Sequence, residues 1–458
     1  MPATVRELLS AIEARLDEPT ARGLAAAVGR ALRDGELTGG ERLPPIRTVA
    51  RELALSPTTV SAAWSILARA GAIRTAGRNG TIVAEQAQPA EGRIRRVVDP
   101  RAQFALDLST GVPDVALLPS LTTALQVLST AGASESYLED PVLPELQELI
   151  LEDWPTPASS LAIVDGAMDA VELVVRSQLQ YGDTVVVEHP EFPPALDIFE
   201  AAGVGVIGVR LDDEGVVPAE LEAALAKGPR AFFLQPRAHN PTGISTTPRR
   251  AEELARVLEE APSPVLVVED DSAGAISTSP DVSLGAFLPE RTVHIRSFGK
   301  SHGPDLRLAA VSGPDEVLAG IARLRQLGQG WSSRLLQRVL LELLSDDAAV
   351  AQVAAARTTY AERRAAFCAV LRRHDIEVTG RDGLNVWVPV RDESAALVRL
   401  ASLGIGVMPG GPFQVFPGEG AFVRVTVGLL DEELDELDEV AERVAEAAQM
   451  GAWHSRVR

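Results

Sequence analysis

The sequence predicts a multidomain chain: a small helical head closed by a glycine-tipped hairpin, then a larger α/β body whose sheet is buried on both faces. Three observations predict it. The 458 residues suffice for about two or three domains. The net charge is −21, yet residues 1–84 hold 11 arginines against 8 carboxylates, so the acidity belongs to the remainder of the chain. Between residues 184 and 300, four apolar β-branched runs, TVVVEHP, AFFLQP, PVLVVEDD and TVHIRSFGK, alternate with helical patterns such as TPRRAEELARVLEEA.

Composition narrows the class further. A hydrophobic content of 46% supports a large core, and a single cysteine, Cys368, excludes an intrachain disulfide. The opening MPATVRELLSAIEARL lacks the apolar centre of a secretion signal, and no apolar run is long enough for a bilayer. A soluble cytoplasmic chain with no membrane partner is expected.

In the head, a helix is expected from Ala21 to Asp34, then the loop GELTGGERLPP, a helix over IRTVARELA (46–54) and another over PTTVSAAWSILARAG (57–71). Ser56 suits the cap of that last helix and Pro57 its first turn. Val60, Ala63, Trp64 and Leu67 fall on one face, while Thr58, Thr59, Ser61, Ala62 and Ser65 fall on the other. AIRTAGRNGTIV (72–83) alternates into a hairpin tipped by Gly77, Arg78, Asn79 and Gly80.

That order is a winged helix-turn-helix, a fold that places a helix N-terminus in the major groove and a hairpin tip on the minor groove or a phosphate. The stretch resembles the GntR family of bacterial regulators through GELTGGERLPPIRTVARELALSPTTV and GRNGTIV. The resemblance implies that Arg47 holds a phosphate of operator DNA, that Thr58 and Thr59 sit at the groove with Ser61 beside them, and that Arg78 and Asn79 serve from the wing. Pro57 stands where the family often has arginine, and short side chains on the exposed face predict modest specificity per half-site. Residues 1–84 are thus the expected DNA-binding domain, and EQAQPAEGRIRRVVDPRAQF (85–104), mixing Gly, Pro and charge, the expected linker.

In the body, each β-branched run carries a reactive side chain at or just past its end: Phe192, Asn240, Asp270 and Lys300. Ligands gather beyond the carboxyl ends of strands in open α/β sheets. Of the 43 lysines and arginines only Lys227 and Lys300 are lysines, and Lys227 is explained as a cation at a helix end. Arginine forms no imine, whereas a deprotonated lysine amine attacks a carbonyl. Pyridoxal 5'-phosphate needs this set: an imine to Lys300, a carboxylate at Asp270 to keep its pyridine nitrogen protonated, an amide at Asn240 for its phenolic oxygen and a ring at Phe192 to stack on. Arg307 and the helix start at Gly166, Ala167 and Met168 would take the phosphate.

Residues 105–458 resemble fold-type I aminotransferases through HNPTG (239–243), VVEDD (267–271) and SFGKSHGPDLRL (297–308), with weaker matches in DLSTGVPDVALLPS (107–120) and GLNVWVPV (383–390). With the GntR-like head, the whole chain resembles the MocR subfamily of transcriptional regulators. The resemblance implies a homodimer in which Tyr137 reaches the neighbouring subunit's cofactor phosphate, and an Arg424 that takes a ligand carboxylate. Ion pairing for Arg424 and plain packing for Tyr137 are the alternatives. Where the family carries a tyrosine just beyond the aspartate this chain has Ser272, and Asp165 is expected to oppose the phosphate. Efficient transaminase turnover is therefore not expected. The reading is a regulator that senses an amino compound by exchange at Lys300, the alternatives being a working aminotransferase with a tethered head or a sensor of pyridoxal phosphate itself.

Overall fold

The computed structural model describes residues 5–16, 18–34, 36–37, 40–69, 73–75, 80–83, 92–97, 104–128, 136–416, 418–430 and 434–451. It divides into two units, 1–91 and 92–458.

The first unit contains α1 (Val5–Glu13), α2 (Ala21–Arg33), α3 (Ile46–Glu52) and α4 (Pro57–Arg69), then the antiparallel pair β1 (Ile73–Thr75) and β2 (Thr81–Val83). Thr20 caps α2 by accepting from Gly23 N at 3.0 Å, and Ser56 Oγ accepts from Thr59 N at 3.0 Å at the start of α4. The face Val60, Ala63, Trp64 and Leu67 is buried, packed with Leu24, Val28 and Val49. Two details differ from the sequence expectation. The opening segment forms α1, whose Leu8, Leu9 and Ile12 join this core. The helix expected to reach residue 54 stops at Glu52, because Ala54 adopts a left-handed φ of 51°.

The second unit opens inside the expected linker with α5 (Arg93–Val97). The strand β3 (Leu106–Asp107) follows. Eight further strands form the main sheet: β4 (Ala162–Val164), β5 (Thr184–His189), β6 (Gly205–Asp212), β7 (Gly215–Val216), β8 (Ala231–Leu234), β9 (Leu266–Asp271), β10 (Thr292–Ser297) and β11 (Ala309–Ser312). Their spatial order is β4-β11-β10-β9-β8-β5-β6-β7. The central five, β10, β9, β8, β5 and β6, run parallel; β11, β4 and β7 pair antiparallel at the edges. Both faces are covered. Val185 and Val187 enter one apolar cluster with Phe199 and Ile321, and Val186 between them enters another with Leu221 and Leu254.

A smaller layer is built from β13 (Ile405–Gly406), which pairs with β3, and an antiparallel sheet of β12 (Asn385–Val390), β15 (Ala421–Thr426) and β14 (Met408–Pro409). Helices Asp347–Arg373, Glu393–Ser402 and Leu434–Ala448 back it around Phe367, Val386, Val425 and Val444. No helix among the described residues is long and apolar enough to cross a membrane.

One carboxylate joins the two layers beside the HNPTG turn. Asp382 accepts from Gly383 N (2.8 Å), Thr278 N (3.0 Å), Ser279 N (3.1 Å) and the hydroxyls of Ser277 (2.5 Å), Thr278 (3.1 Å) and Ser245 (3.4 Å). Burial pushes its pKa up, but these donors outweigh burial and hold it below the usual value. A depressed folded pKa stabilises above the unfolded value of about 3.9 and is lost as pH falls through the folded one. Asp382→Ala should therefore cost on the order of 3 kcal/mol at pH 7. The deficit, read by urea titration of the body, should shrink below about pH 4.

Candidate functional site

The four strand ends singled out in the sequence belong to neighbours in the sheet. In the order β5, β8, β9, β10 they present Phe192, Asn240, Asp270 and Lys300 along one rim. Asp270, next to last in β9, is 8% exposed. Burial raises its pKa, while a hydrogen bond from Ser272 Oγ (2.6 Å) and the charge of Lys300 pull the other way. Burial likewise drives the Lys300 amine below its usual pKa, with Asp270 opposing. Each group favours the charge of the other, and desolvation makes the amine a better nucleophile. Ser272 directs its hydroxyl to the aspartate; it props the carboxylate and does not stand in for a phenol.

The candidate phosphate cradle follows β4. Gly166 has φ 103° and precedes the helix Ala167–Gln178 with no side-chain cap, so the first N–H groups of that helix have no partner within it. Arg307, itself left-handed at φ 47°, lies across this glycine and donates from Nη2 to Asp165 O at 3.1 Å. A Cβ on Gly166 would sit 3.0 Å from that Nη2. The Asp165 carboxylate does not face the cradle unopposed, as the sequence suggested. Arg325 Nη1 reaches it at 3.2 Å and Asp169 at 3.1 Å, a pairing 160 residues apart that no local pattern discloses.

Arg424 lies in β15 and is 1% exposed. Its Nη1 donates to Asn240 Oδ1 at 3.2 Å, its Nη2 to Ser109 O, and its Cζ lies 5.3 Å from the Phe413 ring centre. Nε has no partner, and no carboxylate pairs with the side chain among the described residues. Burial lowers its pKa to about 10. A desolvated cation without a counter-ion is costly, and the arrangement favours an arriving anion over a fixed ion pair. Asn240 Oδ1 also accepts from Asn385 Nδ2 at 3.4 Å, which leaves the Asn240 Nδ2 as the atom able to donate to a ligand.

Sequence reasoning missed the polar layer behind Phe192. The peptide His189–Pro190 is cis, and Glu188 and Glu191 on either side are buried. Burial raises Glu188 well above the usual carboxylate range and Glu191 to about 8, and it lowers His239 to about 3. Gln235 ties the layer together: its N donates to Glu188, its Nε2 to Glu191 (3.2 Å), and its Oε1 accepts from Asn240 N (3.0 Å). Two glutamates flanking a proline at a strand end were the available signal.

The remaining candidates stand apart from the rim. Tyr137 is 91% exposed and stacks on Trp331 with ring centres 5.9 Å apart. In the head, Arg47, Thr58 and Ser61 are exposed and Thr59 is half-buried. Ser56 Oγ bonds both threonine hydroxyls, at 2.7 and 2.8 Å. Arg78 and Asn79 lie outside the described residues.

Comparisons with known proteins divide the chain at the same place. The family described as bacterial regulatory proteins, gntR family, matches residues 20–83, and aminotransferase class I and II matches residues 105–441. The vitamin B6 salvage pathway transcriptional repressor PtsJ of Salmonella typhimurium is 35% identical over 430 residues, covering 92% of this chain and 97% of that protein. The HTH-type transcriptional regulator TauR of Rhodobacter capsulatus is 27% identical over 435 residues, covering 85% and 88%. Among solved structures, the α-aminoadipate aminotransferase LysN of Thermus thermophilus aligns with a TM-score of 0.67 at 24% identity, over 75% of this chain and 92% of its own. Aspartate aminotransferase from the same organism aligns with a TM-score of 0.66 at 23% identity, over 76% and 92%. These structural likenesses fix the fold of the body.

Two substitutions test the local chemistry. Gly166→Ala forces a side chain toward Arg307 at a positive φ, and should weaken phosphate-bearing ligands at least tenfold by equilibrium titration while the body stays folded. Glu191 holds a proton in the folded state that it releases on unfolding between about pH 4.5 and 8, so its burial costs stability increasingly across that window. Glu191→Gln should gain stability over the parent from pH 5 to pH 8 and level off above, as read by urea midpoints.

Proposed function

Because the chain belongs to the MocR subfamily of GntR-type regulators, we propose that it is a pyridoxal phosphate-dependent transcriptional regulator that responds to an amino compound bearing a carboxylate. The observation that carries this reading is Arg424: a buried guanidinium with no anion of its own among the described residues, bonded to the Asn240 amide on the same rim as Lys300.

The residues present fit the cofactor. Gly166 and the following helix start, with Arg307, would hold the phosphate; Asp270 would face the pyridine nitrogen; Asn240 Nδ2 would donate to the phenolic oxygen; Phe192 would flank the ring. When bound, pyridoxal phosphate supplies an aldehyde that exchanges one amine for another. Lys300 would provide the resident amine, whose pKa burial lowers from its usual value while Asp270 opposes the shift. Arg424 would orient the incoming carboxylate, with the buried Phe413 ring beneath it. Ser272 gives the phenolic oxygen no second donor, which fits ligand exchange with little or no transaminase turnover.

The head would bind operator DNA through the N-terminal end of α4, with Arg47 on a phosphate, Thr58, Thr59 and Ser61 at the groove and the wing residues Arg78 and Asn79 beside it. A homodimer is proposed from Tyr137 and Leu138, which are 91% and 95% exposed beside Trp331, a surface suited to a second copy. Tyr137 would then serve the partner's phosphate cradle.

A second reading is favoured by one observation. The 35% identical relative PtsJ is named a vitamin B6 salvage pathway repressor, so the cofactor itself could be the signal here.

Visible absorption and operator binding decide between them. Borohydride reduction should trap a pyridoxyl group on the peptide containing Lys300, and Lys300→Ala should abolish it; a wild-type protein that traps none removes the cofactor from the account. Arg424→Gln should keep the cofactor spectrum and lose the operator response to amino acids, with amino-acid affinity down tenfold or more. If loading with pyridoxal phosphate alone switches operator binding and no amine adds to it, the second reading holds. Product beyond one equivalent per site, formed at ordinary aminotransferase rates from an amino donor and a keto acid, would make the body an enzyme.

A further inference from the structure

The five-residue helix α5 is fastened to the element that carries Phe192. Arg93 N donates to Asp197 Oδ2 at 2.9 Å, Arg93 Nη1 to Asp197 Oδ1 at 2.5 Å and Arg93 Nη2 to Glu200 Oε2 at 2.7 Å. Both carboxylates lie on the helix Pro193–Ala201, whose N-cap is Phe192. Gly92 approaches so closely that a Cβ there would sit 2.9 Å from Asp197 Oδ2. The next side chain, Ile94, packs against the cluster of Trp387, Met408 and Phe413, which Phe192 and Phe422 also border. Phe413 is the ring under the Arg424 guanidinium. Arg95, Arg96 and Val97 are exposed.

A segment this short does not hold a helix by itself, so its order comes from these two anchors. An exposed ion pair contributes little, but Arg93 is only half-exposed, makes three bonds and is followed by an apolar contact. One anchor leads to the ring that flanks the cofactor, the other to the cation that meets the ligand. Binding equilibria are reciprocal: if docking of α5 steadies Phe192 and Phe413 for ligand, ligand must tighten docking of α5 by the same factor.

We propose that Arg93 and Ile94 are positioning residues for the ligand site, and that filling the site locks α5 against the body. α5 is thereby held to the body when the site is full and released when it is empty. This rests on the function proposed above.

The test uses full-length apoprotein and a probe joining cofactor to amino acid, N-(5'-phosphopyridoxyl)-L-leucine, with pyridoxal phosphate alone as the second arm. Affinity is read by calorimetry, and docking by the rate of trypsin cleavage after Arg95 or Arg96, sites that open when α5 leaves the body. The probe should slow cleavage roughly five- to tenfold, the lower range of measured site-to-site couplings. Arg93→Ala and Ile94→Ala should speed cleavage and weaken the probe by a comparable factor, and Arg93→Lys should recover much of both. Faster cleavage with probe affinity unchanged sinks this coupling and leaves the proposed function standing, as does a bound probe that leaves wild-type cleavage unaltered. Wild-type protein that binds neither the probe nor pyridoxal phosphate takes down the functional reading and this inference with it.

Discussion

The candidate site depends on two opposite charges, a buried Asp270 in β9 and a partly buried Lys300 just past β10, carried by adjacent parallel strands. Each is held away from its ordinary proton affinity by burial and drawn back by the other. The neighbouring Asp271 shows what the sheet does with a carboxylate meant to stay fixed. Pointing to the opposite face, it meets Arg237 at 2.5 Å, and that cation outweighs burial to hold it ionised. Consecutive residues of one strand thus have opposite fates: Asp271 is locked in a bidentate pair, and Asp270 has one serine hydroxyl and the charge of Lys300 but no ion pair of its own among the described residues, which leaves it able to answer a new cation.

The proposed ligand site lies at a seam between two layers. Arg424 and Asn385 come from the smaller sheet, Asn240 from the turn that follows β8 of the main one, and they meet at a single amide oxygen. A second fastening lies nearby: Glu419, on the loop before β15, pairs with Arg210 and approaches His189 at 3.4 Å, while Phe416 stacks on His189 with ring centres 4.0 Å apart. His189 immediately precedes the cis proline that leads to Phe192. The rings and donors expected around a ligand therefore belong to elements that are packed against each other and rooted in different sheets. A small rearrangement of one layer must be felt at the other, since close-packed interiors transmit displacement and do not absorb it.

Much of this architecture was legible in the residues. The β-branched runs, the helical faces and the strand-end side chains follow local periodicity, and the alternation of Val185, Val186 and Val187 between two cores is that periodicity made visible. The rest was set by pairings between residues far apart in the chain. Asp165 read as a threat to a phosphate because Arg325, its partner, lies on a helix of another segment. Within the expected linker, what orders Arg93 is Asp197 and Glu200, about a hundred residues later, partners that no local pattern names. The lack of a counter-ion for Arg424 among the described residues is a property of the folded neighbourhood, and no spacing rule expresses it.

That missing counter-ion also bears on why such a body suits regulation. A ligand shifts a conformational equilibrium only through its different affinity for the two states, and a site already satisfied offers little difference. Arg424 is held by one amide oxygen, one backbone carbonyl and a ring face, each a weak substitute for a carboxylate. Moving the population from one state to the other by a factor of about 100 needs about 2.7 kcal/mol of preference, within reach of one desolvated guanidinium meeting its anion. The carboxylate site proposed at Arg424 would supply that preference without calling on Ser272, whose hydroxyl is turned to Asp270.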